Sequence, residues 1–117
     1  MINKLIFGVI LFFLSGCFIS NTKTDEEGNE MVVNVYSHRH YDIDKEIYAA
    51  FEKETGVKVN VVEDDADKLM VRLESEGEQS PCDILITDDA GRLVSAKEKG
   101  YLQKIESSIL NKNIKNH

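Results

Sequence analysis

Four consecutive residues, His38, Arg39, His40 and Tyr41, gather two imidazoles, a guanidinium and a phenol into one short stretch. Those groups suit a metal ion or an anion. A phenol is a hard oxygen donor, and a trivalent cation pulls its proton off far below the free pKa of about 10. Imidazole is a borderline donor and would be the secondary ligand. Without further context, however, a His and a Tyr in a loop are surface residues more often than ligands. Asp42, Asp44 and Glu46 alternate like the start of a calcium loop, but Ile47 stands where that loop needs its glycine. Asp64, Asp65, Asp67, Asp88 and Asp89 are read as helix caps and first-turn charges. The chain has no Ser-His-Asp order, no phosphate-cradling glycine loop and no zinc-spaced cysteine pair, so no catalysis is expected.

The elements that must hold this stretch alternate between two periods. Met31 to Tyr36, rich in β-branched residues, predicts a strand, and Ser37 to Tyr41 the loop that leaves it. From Asp42, the apolar residues Ile43, Ile47, Ala50 and Phe51 recur at helical intervals until Gly56. Val57 to Val62 predicts a second strand, followed by a helix capped by Asp64 or Asp65 that carries Leu69, Met70 and Leu73 and stops at Gly77. Asp83 to Thr87 reads as a covered strand, and Asp88 as the cap of a third helix bearing Leu93, Val94 and Ala96. Such alternation with short connections predicts an α/β fold, a parallel sheet with helices on both faces. Ligands of open sheets sit beyond the carboxyl ends of the strands. Here those ends are 37–41, 63–65 and 87–89.

Composition narrows the class. Of 117 residues, 42% are hydrophobic and 30% charged, and the net charge is -7. That acidity argues against a phosphate-backbone partner, so nucleic acid is excluded. Lys4 and the apolar run Leu5 to Leu14 read as a signal segment, since the run is too short to span a bilayer comfortably. Leu14-Ser15-Gly16-Cys17 resembles the lipobox of bacterial lipoproteins, which implies a signal peptide over 1–16, lipidation of Cys17 and a membrane-anchored protein of the periplasm or cell surface. The polar, acidic stretch 17–30 is expected to be a flexible tether, and 31–117 the folded body. With Cys17 lipidated, Cys82 has no disulfide partner and is expected to be a small packed residue.

The run Val32-Val33-Asn34-Val35-Tyr36-Ser37-His38-Arg39-His40-Tyr41, continuing through Phe51 to Val59, resembles the opening of the periplasmic ferric-ion-binding proteins of bacterial transporters. Gly77 to Thr87, Ala90-Gly91-Arg92-Leu93 and Gly100-Tyr101-Leu102-Gln103 resemble the blocks that follow, in order and nearly without gaps as far as Ile114. The resemblance implies part of the first lobe of a type II periplasmic-binding-protein fold, and a solute-binding protein rather than an enzyme. It further implies Fe(III) as the transported ligand, bound between two lobes and delivered to an ABC transporter permease. Tyr41 and, secondarily, His40 are the implied metal ligands; most iron-binding tyrosines of the family come from the second lobe. That lobe would need roughly two hundred further residues, so the chain reads as a truncated N-terminal part. The alternatives are a lobe for another small solute, such as a polyamine or organic anion, and a non-functional remnant.

Overall fold

The computed structural model describes residues 22–114; the expected signal segment and Cys17 lie outside them. Three strands alternate with helices: β1 Val32–Ser37, α1 Asp42–Thr55, β2 Lys58–Glu63, α2 Ala66–Glu76, β3 Ile84–Ile86, α3 Ala90–Glu98 and α4 Ser108–Asn113. A short 3-10 turn, Gly77–Gln79, follows α2. The sheet is parallel with order β2-β1-β3. Because the chain steps from β1 to β2 in one direction and from β2 to β3 in the other, right-handed crossovers put α1 and α2 on opposite faces.

The pleat divides β1 accordingly. Tyr36 pairs in register with Val62 on one side and Leu85 on the other, and this row packs against Leu69 and Leu73 of α2. Tyr36 and Leu69 are each 1% exposed and form the centre of the core. Met70, Cys82 and Tyr101 close around it, so Cys82 is the half-buried filler expected, its thiol pushed up in pKa by burial. The Tyr36 hydroxyl donates to Glu76 at 2.9 Å, and Arg72 pairs with the same carboxylate while its guanidinium lies 4.8 Å from the Tyr36 ring centre. A core tyrosine thus keeps a partner for its polar end.

The α1 face is built differently from the periodic expectation. Ile43, Ile47 and Phe51 are 54%, 56% and 41% exposed, while Asp44, Tyr48, Glu52 and Thr55 turn toward the sheet. Polar bonds set this rotation: Glu52 Oε1 accepts from Val59 N at 2.7 Å and the Thr55 hydroxyl accepts from Val57 N at 3.1 Å. These tie α1 to the start of β2 and leave its apolar stripe uncovered by the described residues. In α3, likewise, Leu93 and Val94 are exposed and only Ala96 is buried. That helix is held by Arg92 to Asp67 and Lys99 to Glu74, two ion pairs to α2. Helix α4 was not expected; the Ser107 hydroxyl caps it, accepting from Leu110 N.

Within the stretch read as a tether, residues 24 and 30 form an antiparallel bridge closed by a turn in which Asp25 Oδ1 accepts from Glu27 N and Asn29 N. Lys23 N donates to Gly56 O and Lys58 N to Met31 O, which fastens this hairpin beside the amino ends of β1 and β2.

Candidate functional site

The three strand ends meet where the sequence places them. His38 N donates to Ile86 O at 3.0 Å and Asp64 N to Ser37 O at 3.3 Å, so the loops after β1, β2 and β3 share one rim. Five carboxylates, Glu63, Asp64, Asp65, Asp88 and Asp89, stand along it. Asp64 is held below the usual carboxylate range by Lys68 first and by the Asp65 N–H second.

The two histidines of the first loop turn their Nδ1 atoms to different kinds of partner, a backbone N–H for His38 and a carboxylate for His40. Ala66 N donates to His38 Nδ1 at 3.1 Å, which requires a bare Nδ1 and puts the neutral ring's proton on Nε2, 3.5 Å from Asp88 Oδ1. A 3.4 Å contact of the same Nδ1 with Asp64 O would need the reverse. The shorter approach from an obligate donor decides between them. His38 is therefore the acceptor that caps α2, a task assigned from sequence to Asp64 or Asp65; neither carboxylate accepts from an N–H of the first turn of the helix. The Asp65 carboxylate is turned instead toward Lys68, at 3.2 Å. His40 points its Nδ1 at Glu63 Oε2, 3.5 Å away, a carboxylate that favours a proton on that nitrogen over one on Nε2.

Tyr41 follows as the N-cap residue of α1 and is 60% exposed, so its phenol stands in solvent at the strand tips. The Arg39 guanidinium lies 5.2 Å from its ring centre and pairs with Asp44 at 2.8 Å. Asp89, one residue later than expected, caps α3 by accepting from Gly91 N at 2.8 Å. Among the described residues no three His, Cys, Asp or Glu are grouped to hold a metal ion. A cavity of about 500 Å³ lies elsewhere, beside β3, lined by Leu73, Cys82, Ile84 and Tyr101.

Residues 34–114 match the family described as bacterial extracellular solute-binding protein. The chain belongs to that family. Its α/β fold is a partial lobe of the kind found in periplasmic ferric-binding proteins. Iron uptake protein A1 of Synechocystis is 48% identical over 90 residues, which are 77% of this chain and 25% of that protein. Iron uptake protein A2 of the same organism is 38% identical over 101 residues, 86% of this chain and 28% of that one. Among solved structures, a Trichodesmium protein in complex with iron and citrate superposes with a TM-score of 0.66 at 53% identity, over 69% of this chain and 26% of its own. The ferric binding protein of Campylobacter jejuni gives 0.66 at 45% identity, over 68% and 25%. This chain thus spans about a quarter of the length of the relatives it matches.

Of the residues singled out from sequence, Tyr41 and His40 lie together at the carboxyl end of β1, and Cys17 falls outside the described residues. Sequence reasoning missed the parts of His38, Glu63 and Asp44. His38 and Glu63 act across a fold of the chain, and Asp44 turns inward against the apolar period of α1, so periodicity carries no signal for any of them.

Proposed function

We propose that this solute-binding chain contributes first-lobe ligands for Fe(III) in an extracytoplasmic component of an ABC importer, with Tyr41 binding as phenolate and His40 through Nε2. The observation that carries the reading is the solvent-facing phenol of Tyr41 beside an imidazole whose Nδ1 is turned to Glu63. A carboxylate on the far nitrogen of a ligating histidine fixes its orientation and raises its basicity. The acidic rim favours a cation there over an anion. The iron-uptake names of the relatives and the iron and citrate in the Trichodesmium complex support the same solute. Two donors do not complete the coordination of a ferric ion, so the remaining ligands belong to a second lobe. Binding and release need no bond making in a substrate, and the chain is no enzyme in this reading.

The proposal extends to location. Cys17 carries the lipid, residues 1–16 are removed, and the lobe works at the membrane surface, where a permease receives the ion. Incorporation of labelled fatty acid that Cys17→Ser abolishes tests the anchor. Titration of the two-lobed protein with ferric citrate tests the site: a visible phenolate-to-iron charge-transfer band is expected, and Tyr41→Phe should weaken it. A two-lobed protein that gives no band but binds a polyamine or organic anion would overturn the iron assignment.

A further inference from the structure

Asp44 is the one acidic side chain that the described fold buries, at 7% exposed, although a first-turn acid of α1 has open solvent one residue to either side. Moving a carboxylate out of water costs several kcal/mol unless a partner offsets it. Its partner is Arg39, whose Nη2 donates to Asp44 Oδ1 at 2.8 Å. Arg39 is itself fixed at the main chain, because Ser37 Oγ accepts from Arg39 N and donates to Arg39 O, both at 3.1 Å. The guanidinium carbon lies 5.2 Å from the Tyr41 ring centre. Neither Arg39 Nε nor Asp44 Oδ2 has another protein partner, so each charge is compensated by this one contact.

We propose that Asp44 is a positioning residue for Tyr41: it pins the Arg39 guanidinium against the ring, holding an exposed phenol in one orientation, and it neutralises that cation so that a trivalent ion on the phenolate meets no net positive charge. The geometric half stands on the contacts alone, and the electrostatic half rests on the proposed role of Tyr41 in Fe(III) binding. A cation placed beside a cation site would otherwise repel the ligand it is meant to help. A guanidinium can pair with a carboxylate and lie over an aromatic ring at once, a double task that an ammonium performs poorly.

The two halves separate in experiment. Carbon-13 tyrosine-ring NMR of the metal-free chain, with the Tyr41 signals assigned by their loss in Tyr41→Phe, should show those signals moving in Asp44→Asn and Arg39→Lys. The signals of Tyr36 and Tyr101 should stay in place. With ferric citrate as the probe, Asp44→Asn should weaken binding about tenfold, the lower end of what loss of a supporting residue costs a metal site. Unchanged Tyr41 signals in both variants would overturn the proposal. If Asp44→Asn fails to fold, Arg39→Lys carries the ring measurement, since it keeps a cation for Asp44 and removes only the flat face. A band missing from the unsubstituted two-lobed protein would overturn the iron reading and its electrostatic half, and leave the ring measurement to judge the positioning.

Discussion

Replacing His38 by three different side chains dissects the rim that gathers the strand ends. Its Nδ1 accepts from Ala66 N and its Nε2 faces Asp88, so the two ring nitrogens do separable work. His38→Ala loses both. Loss of a helix cap costs about 1 kcal/mol. The Asp88 contact adds up to about 0.5 kcal/mol, discounted because the Asp88 side chain is 57% exposed. The sum is about 1.5 kcal/mol, which at a urea slope of about 1.5 kcal/mol/M lowers the unfolding midpoint by about 1 M. His38→Asn places its side-chain oxygen near the position of Nδ1 and should recover most of the cap, losing only about 0.5 kcal/mol. His38→Gln reaches the position of Nε2 instead and should behave more like alanine. Hydrogen exchange at the Ala66 amide reports the cap directly: protection should persist in His38→Asn and fall in the other two. Equal loss of stability and of Ala66 protection in His38→Asn and His38→Ala would refute the tautomer assignment, and with it the division of labour between His38 and His40.

Leu69→Ala should cost about 3 kcal/mol, because the residue is 1% exposed at the core centre and its half-buried neighbours collapse only partly into the space. Val71→Ala on the same helix, at a residue 65% exposed, should stay within about 0.5 kcal/mol, both variants being measured by urea unfolding. Ile47→Lys on the uncovered stripe of α1 should likewise leave the melting temperature nearly unchanged and raise solubility; a large loss would mean that α1 is rotated otherwise. Ser80 first, then Arg72 and Tyr36, hold the Glu76 carboxyl below its ordinary range. A depressed folded pKa stabilises above the unfolded value and is lost as pH falls through the folded one, so the contribution should fade below about pH 4.3. Glu76→Gln should flatten that acid limb in denaturation measured across pH, whereas an unchanged limb would show that the network bears no linkage.

The strands and the limits of α1 and α2 were legible because each rests on a local signal. Period-two β-branched runs mark β1 and β2, and Gly56, at φ 74°, ends α1 where an ordinary side chain would be strained. The apolar period of α1 misled, since Ile43, Ile47 and Phe51 named a face that the polar ties of Glu52 and Thr55 turn outward. Short α4 has no periodic stretch long enough to announce it. At the rim, His40 and Tyr41 stood out by residue type, and they lie, as the strand order implied, beyond the carboxyl end of β1. What could not be read was pairing over distance, Glu63 with His40 and Asp88 with His38, or the local inward turn of Asp44 toward Arg39.

The hairpin of residues 24–30 fastens beside Met31 and Gly56, where β1 and β2 begin, whereas Tyr41 and His40 lie where β1 finishes. Six residues of strand, at about 3.3 Å each, separate these two poles by roughly 20 Å. The anchor and the iron donors proposed above therefore stand at opposite poles of the sheet. In that arrangement a surface holding the chain ahead of the hairpin leaves Tyr41 and His40 facing outward, toward a solute arriving from the far side.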